Sequence, residues 1–269
     1  MRTLAIETGI EPEYEQALIQ SAKKYGWDVH VVRHVPFEHV FEDASPELLN
    51  NPEVWFHGDI LSCKSAQLLT RWQVHAPWEE LRCSSYYEKL KGRLVQEDHF
   101  PCTLEDLGKV PEAIYASGLS VDDTLFFRPD GCDKVFTGTC ISWEDFPQRF
   151  KELCSYDPDP LTEIIVARPQ NLISEARFLI VDGKLVTGSW YRVGTQKMKL
   201  RAPVFLMEVA QELLEFCLER NFNPAPSWIL DIAETHDEGW RILEVGASSC
   251  CGLYASDTDA FIKALGEAC

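Results

Sequence analysis

The chain has 269 residues, of which 45% are hydrophobic, and this is enough to build one or two domains around a substantial core. Forty-three acidic residues against 25 basic ones give a formal net charge of −18. This balance repels a phosphate backbone, so it argues against a nucleic-acid partner, although it permits a local basic pocket.

Targeting and redox features indicate a cytoplasmic protein. No apolar run approaches the roughly 20 residues that cross a bilayer, and the first ten residues lack the apolar core of a signal peptide. We therefore expect no membrane partner. None of the ten cysteines forms a C-x-x-C pair, and the adjacent Cys250 and Cys251 are poorly spaced for zinc. Most of these cysteines are expected to be reduced thiols.

The first hundred residues predict a small α/β domain. A short apolar strand at residues 2–6 precedes Glu11–Tyr25, where apolar residues recur at helical spacing. Strands follow at Trp27–Val35 and Val54–His57. The order strand, helix, strand, strand favours a partly parallel sheet. Residues 72–120 predict connecting helices and a domain boundary near residue 100, which divides the chain into domains 1–100 and 101–269.

The second half of the chain is dominated by strands. Five strands are predicted before residue 200, at Thr124–Arg128, Lys134–Thr139, Glu163–Ala167, Ala176–Val181 and Lys184–Tyr191. Asp182-Gly183 is a strong signal for a hairpin turn between the last two. Phe205–Arg220 has the apolar stripe of an amphipathic helix, and a final helix is predicted from Asp257 to about Gly266. The predicted class is therefore α/β (α+β).

Two apolar strands near the C-terminus each contain one acid, Asp231 and Glu244. If His236–Gly239 form a four-residue loop, Asp231 and Glu244 become direct cross-strand neighbours on one face, with Cβ atoms about 5 Å apart. Two like charges at this distance destabilise a sheet unless a cation offsets them. Mg²⁺ prefers one or two carboxylates, completed by water and phosphate oxygens.

A second interpretation of these acids is that both face solvent on an edge hairpin.

The residues that follow Glu244, Gly246-Ala247-Ser248-Ser249, are small, so a ligand could approach their backbone closely. An ordinary turn explains the same composition equally well.

Basic residues that could neutralise a metal-bound triphosphate occur in two other stretches. Arg128 and Lys134 flank a Gly-containing turn between two predicted strands, although Arg128 could equally be a surface base paired with Asp130 or Asp133. Glu175 and Arg177 share one face of a strand.

Glu175 could accept hydrogen bonds from ribose hydroxyls, and Arg177 could contact phosphate. A cross-strand salt bridge is the alternative for these two residues. Arg192 is a further candidate base.

Taken in order, these segments resemble the ATP-grasp family. The resemblance covers about half of the chain, from Leu125 to Asp257, and is carried by the Phe127-Arg128-Pro129 strand, Glu163–Phe178, and the strands Ile229–Ala233 and Ile242–Gly246. In that family a strand-borne Asp is followed by a strand that ends in Glu-x-Asn and a short loop of small residues. The resemblance implies an ATP-grasp fold preceded by an N-terminal α/β pre-ATP-grasp domain.

The resemblance also implies roles for individual residues. Asp231 and Glu244 would hold magnesium on ATP, and Glu175 would bind ribose. The backbone of Val166 and Ala167 would meet adenine. The remaining implied roles belong to basic residues. Arg128 and Lys134 would bind phosphate. Arg177 and Arg192 would contact the phosphate or the acyl-phosphate.

Two departures from the family pattern stand out. Gly246 replaces the usual Asn, so a second metal would be held weakly, or through Ser248, Ser249 or water. Arg128 replaces the usual phosphate-binding lysine, which resembles one divergent clade with arginine there and a nearby lysine such as Lys134. Arginine keeps the charge and can bind phosphate with two hydrogen bonds.

Members of this family mostly join a carboxylate to an amine with ATP and Mg²⁺, through an acyl-phosphate. The resemblance therefore implies a carboxylate–amine ligase that forms an amide or peptide bond between small-molecule or peptide substrates, and it leaves room for a homodimer. One alternative is a nucleotide-binding module that has lost ligase activity, which the replacement of Asn by Gly246 would favour. The other is a phosphotransferase with a non-carboxylate acceptor.

Overall fold

The computed structural model describes residues 2–10, 12–36, 38, 40–107, 111–116, 118–120, 124–132, 135–153 and 159–268, without the side chains of residues 113, 147, 151 and 153. The chain forms two compact units. Unit 1 comprises residues 1–77, 174–232 and 244–269, and unit 2 comprises residues 78–173 and 233–243. These units interleave along the sequence, so they do not test the predicted division near residue 100, which stays a prediction.

The N-terminal part of unit 1 is a four-stranded sheet with helices. Its elements are β1 (Thr3–Glu7), α1 (Pro12–Lys24), β2 (Asp28–Val35), β3 (Val40–Glu42), α2 (Pro46–Leu49), β4 (Val54–His57) and α3 (Ile60–Leu69). The strand order is β3-β2-β1-β4, with β1 parallel to both neighbours and β3 antiparallel to β2. The predicted partly parallel sheet is confirmed.

Helix α1 follows directly from its sequence. Tyr14, Leu18 and Ala22 recur on one face and are buried. Acidic residues occupy its first turn and lysines its last turn, which complements the helix dipole. Gly26, with φ +74°, follows the helix, where a left-handed residue commonly ends it.

A five-stranded sheet contains the residues of the predicted metal site. Its elements, with the helices that accompany them, are β9 (Leu172–Val181), β10 (Lys184–Val193), β11 (Gln196–Arg201), α7 (Val204–Glu219), β12 (Ser227–Thr235), β13 (Gly239–Ala247) and α8 (Thr258–Ala268). The order is β11-β10-β9-β12-β13. Asp182 and Gly183 both have positive φ, as a two-residue hairpin turn requires, and Val181 pairs with Lys184.

The two sheets contribute to one core within unit 1. Leu4 and Ile6 of the first sheet, Leu179 and Ile229 of the second, and Leu18 of α1 belong to the same buried cluster, which also includes the apolar face of α8. Burying apolar surface of this kind contributes about 25 cal/mol per Å². The core therefore holds the five-stranded sheet and the N-terminal sheet as one compact body.

Unit 2 has its own sheet and core. Its elements are α4 (Cys83–Leu90), β5 (His99–Thr103), α5 (Pro111–Ala116), β6 (Thr124–Pro129), β7 (Thr139–Ser142), α6 (Phe146–Leu153) and β8 (Glu163–Ala167). The strand order is β5-β8-β6-β7, and every pair is antiparallel. Phe127, Phe146 and Val166 are fully buried in its core.

One predicted strand is wrong in its position. Lys134–Thr139 was expected to be extended, but the strand β7 begins only at Thr139, and residues 135–138 form bends and loop. Phe136 in this loop is buried against Phe146 and Phe150. The apolar residues that suggested a strand therefore serve to anchor a loop on the core.

The described cysteines carry thiols that are not joined in disulfides, at positions 63, 83, 102, 132, 140, 217, 250 and 251. No helix in the described ranges is both long and apolar enough to cross a membrane. The predicted mixed α/β class is confirmed by the three sheets and their helices.

Candidate functional site

The hairpin of β12 and β13 places Asp231 and Glu244 on one face of the sheet. A Cβ built on Gly246 would lie 2.9 Å from the side chain of Ile229, so these two residues occupy the same face. Side chains alternate along a strand, so Asp231 and Glu244, each two residues from this pair, share that face. Gly239, with φ +71°, follows the turn that connects the strands.

The burial of the two acids differs. Asp231 is 3% exposed and Glu244 is half-buried. The interpretation of both acids as solvent-facing is therefore wrong for Asp231. Burial raises the pKa of Asp231, Arg177 opposes this effect, and the charge of Glu244 adds to it.

Asp231 is held by a two-pronged ion pair with Arg177 of β9. Arg177 Nε donates to Asp231 Oδ1 at 2.8 Å, and Nη2 donates to Oδ2 at 2.7 Å. Nη1 donates to the carbonyl of Gly252 at 3.0 Å. Although burial disfavours the charged guanidinium, the charge and hydrogen bonds of Asp231 raise the pKa of Arg177 above its ordinary value. The geometry is that of a charge-assisted pair with two parallel hydrogen bonds.

Two tyrosines cover the guanidinium of Arg177. The rings of Tyr191 and Tyr254 stack with centroids 4.9 Å apart and planes 18° from parallel. The guanidinium carbon lies 5.1 Å from the Tyr254 centroid and 6.0 Å from that of Tyr191, which is cation–π distance. Tyr254 has φ +50°, a conformation that is costly for a bulky residue. The surrounding contacts therefore hold Tyr254 against Arg177.

Glu175 is engaged on both oxygens by β10. Arg192 Nη1 donates to Oε1 at 2.5 Å and Tyr191 Oη donates to Oε2 at 2.9 Å. The register of β9 and β10 shifts between Trp190 and Arg192, and this bulge brings both Tyr191 and Arg192 to Glu175. The Arg192 side chain remains 43% exposed.

The predicted alternative for Glu175 and Arg177 was a cross-strand salt bridge, and both residues form one. Glu175 pairs with Arg192, and Arg177 pairs with Asp231. These partners orient the side chains of Glu175, Arg177 and Arg192. The predicted contacts of these three residues with nucleotide stay predictions.

The small residues that follow β13 are fixed by a buried network. Ser227 and Ser248 hydroxyl oxygens lie 2.5 Å apart, and Ser248 Oγ also donates to the Ser227 carbonyl at 3.0 Å. His75 Nδ1 lies 2.6 Å from Ser227 Oγ, and the His75 backbone N–H donates to Ser249 Oγ at 2.9 Å. Ser248 and Ser249 are fully buried, and their predicted role as substitute metal ligands stays a prediction. Sequence reasoning missed His75 and Ser227, which carry no motif.

In unit 2, Arg128 lies on β6 and is half-buried, with its Nε 3.4 Å from the carbonyl of Pro129. Asp130, one of its two predicted partners, instead accepts hydrogen bonds from Arg82 Nε at 2.9 Å and from the Ser84 N–H at 2.7 Å. Arg82 also pairs with Glu163. The other partner, Asp133, and the candidate Lys134 lie outside the described residues.

Val166 and Ala167 end the buried strand β8, which lies between β5 and β6. Ala167 pairs with His99 on one side and Phe126 on the other. The predicted contact of their backbone with adenine stays a prediction. Of the nine predicted site residues, Glu175, Arg177, Arg192, Asp231 and Glu244 come together in unit 1, while Arg128, Val166 and Ala167 belong to unit 2.

The donor set of Asp231 and Glu244 fits one divalent cation. Each oxygen of the Asp231 carboxylate accepts one hydrogen bond from Arg177, which leaves a second lone pair on each for a metal. Within the described ranges, no group of three or more His, Cys, Asp or Glu side chains could hold a metal ion. Two carboxylates completed by water and phosphate oxygens match the preference of Mg²⁺.

Comparisons with known proteins gave a family match. Residues 34–265 match the family model for the ATP-grasp domain, R2K clade family 3. No curated protein sequence gave a significant match.

Three solved structures share the fold at low identity. The D-cycloserine synthetase DcsG has a TM-score of 0.66 and 14% identity, covering 98% of this chain and 99% of that chain. N5-carboxyaminoimidazole synthase from Aspergillus clavatus, solved with ADP and 5-aminoimidazole ribonucleotide, has a TM-score of 0.63 and 12% identity, covering 99% and 77%. The ATP-grasp ligase PsnB, solved with a minimal precursor, has a TM-score of 0.60 and 10% identity, covering 100% and 99%.

These neighbours confirm the predicted ATP-grasp fold. Since the family match extends over most of the chain, this protein belongs to the ATP-grasp domain family, R2K clade family 3.

Proposed function

We propose that this protein is an ATP- and Mg²⁺-dependent carboxylate–amine ligase that forms an amide or peptide bond through an acyl-phosphate. The observation that carries the proposal is the pairing of Asp231 and Glu244 on one face of the β12–β13 hairpin, with Asp231 buried and oriented by Arg177. Membership of the ATP-grasp family makes nucleotide chemistry the natural use of this pair.

In the proposed reaction a substrate carboxylate attacks the γ-phosphate of ATP, which releases ADP and forms an acyl-phosphate. An amine then attacks the acyl carbon and displaces phosphate. Asp231 and Glu244 would hold Mg²⁺, which when bound neutralises phosphate charge. Phosphoryl transfer requires alignment and charge neutralisation more than a covalent side chain. A metal held by the two carboxylates, together with the half-exposed guanidinium of Arg192, would provide both.

The remaining residues have proposed roles that follow from the resemblance. The half-exposed guanidinium of Arg192 is oriented by Glu175 and is proposed to contact the transferring or acyl phosphate. Glu175 is proposed to contact ribose. On unit 2, Arg128 is proposed to replace the usual phosphate-binding lysine, together with Lys134, and Val166 and Ala167 to meet adenine.

The solved neighbours support ATP and magnesium as cofactors and point to the substrate class. PsnB has been solved with a minimal precursor, magnesium and ADP, and the Aspergillus enzyme with ADP and a ribonucleotide. We therefore propose small-molecule or peptide carboxylate and amine substrates. A cytoplasmic location, a homodimer and the lack of a nucleic-acid partner stay predictions.

One observation favours a second candidate function, a nucleotide-binding module without ligation. Gly246 replaces the usual Asn, and Ile229 occupies the space that an Asn side chain needs. This leaves the described site with two carboxylate ligands and no amide.

Turnover with substrate pools distinguishes the candidates. Purified protein is incubated with MgATP and pooled amino acids, ADP release is followed, and products are identified by mass spectrometry. Amine-dependent ADP release with an amide product supports the ligase. Tight ATP binding without turnover in any pool supports the binding module, and a phosphorylated product without an amine supports the phosphotransferase.

The metal assignment is tested in the same assay. Glu244→Gln and Asp231→Asn should each reduce ADP release at least 100-fold, because each removes a charged ligand of the metal. Glu238→Gln and Asp237→Asn are the matched controls, since both lie at the exposed turn of the same hairpin, and should keep wild-type rates. Circular dichroism verifies folding of each variant. Unchanged rates in both site variants would refute the metal assignment.

A further inference from the structure

We propose that Arg177 is a positioning residue that restrains metal binding at Asp231, so that the carboxylate pair binds a divalent cation strongly only together with the phosphates of the nucleotide. The purpose of this restraint on metal binding rests on the proposed function. The test of the inference measures metal binding in the absence of turnover, so the inference can fail while the proposed function holds.

The geometry leaves Arg177 little freedom to leave Asp231. Its Nε and Nη2 bind both oxygens of the carboxylate, and its Nη1 binds the carbonyl of Gly252. The side chain is 10% exposed and lies under the stacked rings of Tyr191 and Tyr254. A planar guanidinium held on three sides keeps one orientation, so it also keeps the carboxylate in one orientation.

The charge of the site follows from this pairing. Arg177 balances the charge of Asp231, so the two carboxylates together contribute at most one uncompensated negative charge. A cation that coordinates Asp231 must also lie within a few ångströms of the guanidinium, in surroundings where water screens the repulsion poorly. The negative charge of nucleotide phosphates can offset this repulsion, which makes metal and nucleotide binding mutually dependent.

Two other roles for Arg177 make different predictions. If the ion pair serves only folding, its removal lowers stability but does not improve metal binding. If Arg177 is mainly a phosphate ligand, its removal weakens nucleotide binding and leaves the affinity for metal alone unchanged. Only a restraining guanidinium predicts tighter metal binding after its removal.

The test measures Mn²⁺ binding to the nucleotide-free protein by electron paramagnetic resonance of the free ion. Arg177→Gln should bind Mn²⁺ at least 10-fold more tightly than the wild type, because both carboxylates become available to the ion. Arg177→Gln/Glu244→Gln should lose this gain. Arg201→Gln removes an exposed arginine that pairs with Asp257 in the same unit, and should leave Mn²⁺ affinity unchanged.

A second variant covers the case in which Arg177→Gln does not fold. Arg177→Lys keeps the charge but cannot donate two parallel hydrogen bonds, so it should bind Mn²⁺ no more tightly than the wild type while folding normally. Tight Mn²⁺ binding by the nucleotide-free wild type would overturn the inference. So would an Arg177→Gln variant that is folded by circular dichroism and binds Mn²⁺ with unchanged affinity.

Discussion

Gly246 shows how a single residue separates this chain from the usual family pattern. The position that carries Asn in the resemblance here faces Ile229 across the hairpin, and an added Cβ would lie 2.9 Å from two Ile229 carbons. Contacts this short require a neighbour to move. The loss of the amide ligand is therefore coupled to the packing of Ile229 in the core of unit 1.

Gly246→Asn should destabilise the protein by about 1–3 kcal/mol, because it overfills a packed site. In urea unfolding, Ile229→Ala/Gly246→Asn should lose less free energy than the two single changes together, since the smaller side chain makes room. Gly194→Asn is the control, because Gly194 has φ +54° and open space around it, and Asn tolerates this conformation. Strictly additive effects would contradict the proposed clash.

The shared face of Asp231 and Glu244 could be predicted from sequence because strand alternation needs no long-range information. The predicted loop length was wrong, since only residues 236–238 form the turn and Gly239 already belongs to β13. The residues that pair with these acids could not be predicted. Arg177 reaches Asp231 only because β9 and β12 are neighbours in a sheet whose order the local pattern does not reveal. The pairing of Arg192 with Glu175 further depends on a bulge at Tyr191, which inserts one residue into the register.

At the scale of elements, the connection between β6 and β7 shows where hydrophobic pattern misleads. Val135-Phe136 is apolar enough to suggest a strand, but these residues form a bend, and Phe136 is 3% exposed in the core of unit 2. Its ring lies 5.0 Å from that of Phe150, almost perpendicular to it. A buried anchor in a loop and a residue in a buried strand have the same local sequence signal.

Phe136→Ala should therefore cost about 3–5 kcal/mol of unfolding free energy, as expected for removal of a buried aromatic ring. Leu161→Ala, at a position in the same unit that is 62% exposed, should change stability by less than about 0.5 kcal/mol. Both values are accessible by denaturant titration. A cost below about 1 kcal/mol for Phe136→Ala would show that this loop does not depend on its aromatic anchor.

The Asp182-Gly183 hairpin illustrates the opposite case, in which local chemistry is sufficient. Both residues adopt positive φ, which few residue types accept, and the flanking strands pair directly across them. Short-range turn signals predicted this element, and the strands on either side were predicted to within a few residues. Elements that depend on their own residues were therefore predictable, whereas those completed by distant partners were not.

At the scale of the whole molecule, the chain leaves unit 1 after residue 77 and returns to it at residue 174. Unit 1 therefore gathers the N-terminal sheet and the metal-site sheet around one core. This organisation buries His57 of β4 and His75 within unit 1. Burial lowers the pKa of each to about 4, and for His57 the backbone of Ser248 and the charge of Glu15 partly oppose this effect.

Two buried neutral histidines make the stability of the molecule sensitive to mild acid. Their pKa values in the folded state lie below the ordinary 6.5, so protons bind the unfolded chain first as pH falls. Stability is fully present above pH 6.5 and is lost as pH falls toward 4. Between pH 7 and 5.5 each histidine should remove about 1 kcal/mol of unfolding free energy.

His57→Leu should remove the share of this pH dependence that belongs to His57, whatever its effect on stability at neutral pH, because leucine does not titrate. The measurement is the unfolding free energy from urea titrations at pH 7 and 5.5, and the decisive quantity is the difference between the two values. His236→Gln is the matched control, since the His236 side chain is 68% exposed and its removal should leave that difference unchanged. An equal pH dependence in His57→Leu and the wild type would show that His57 is not held neutral by burial.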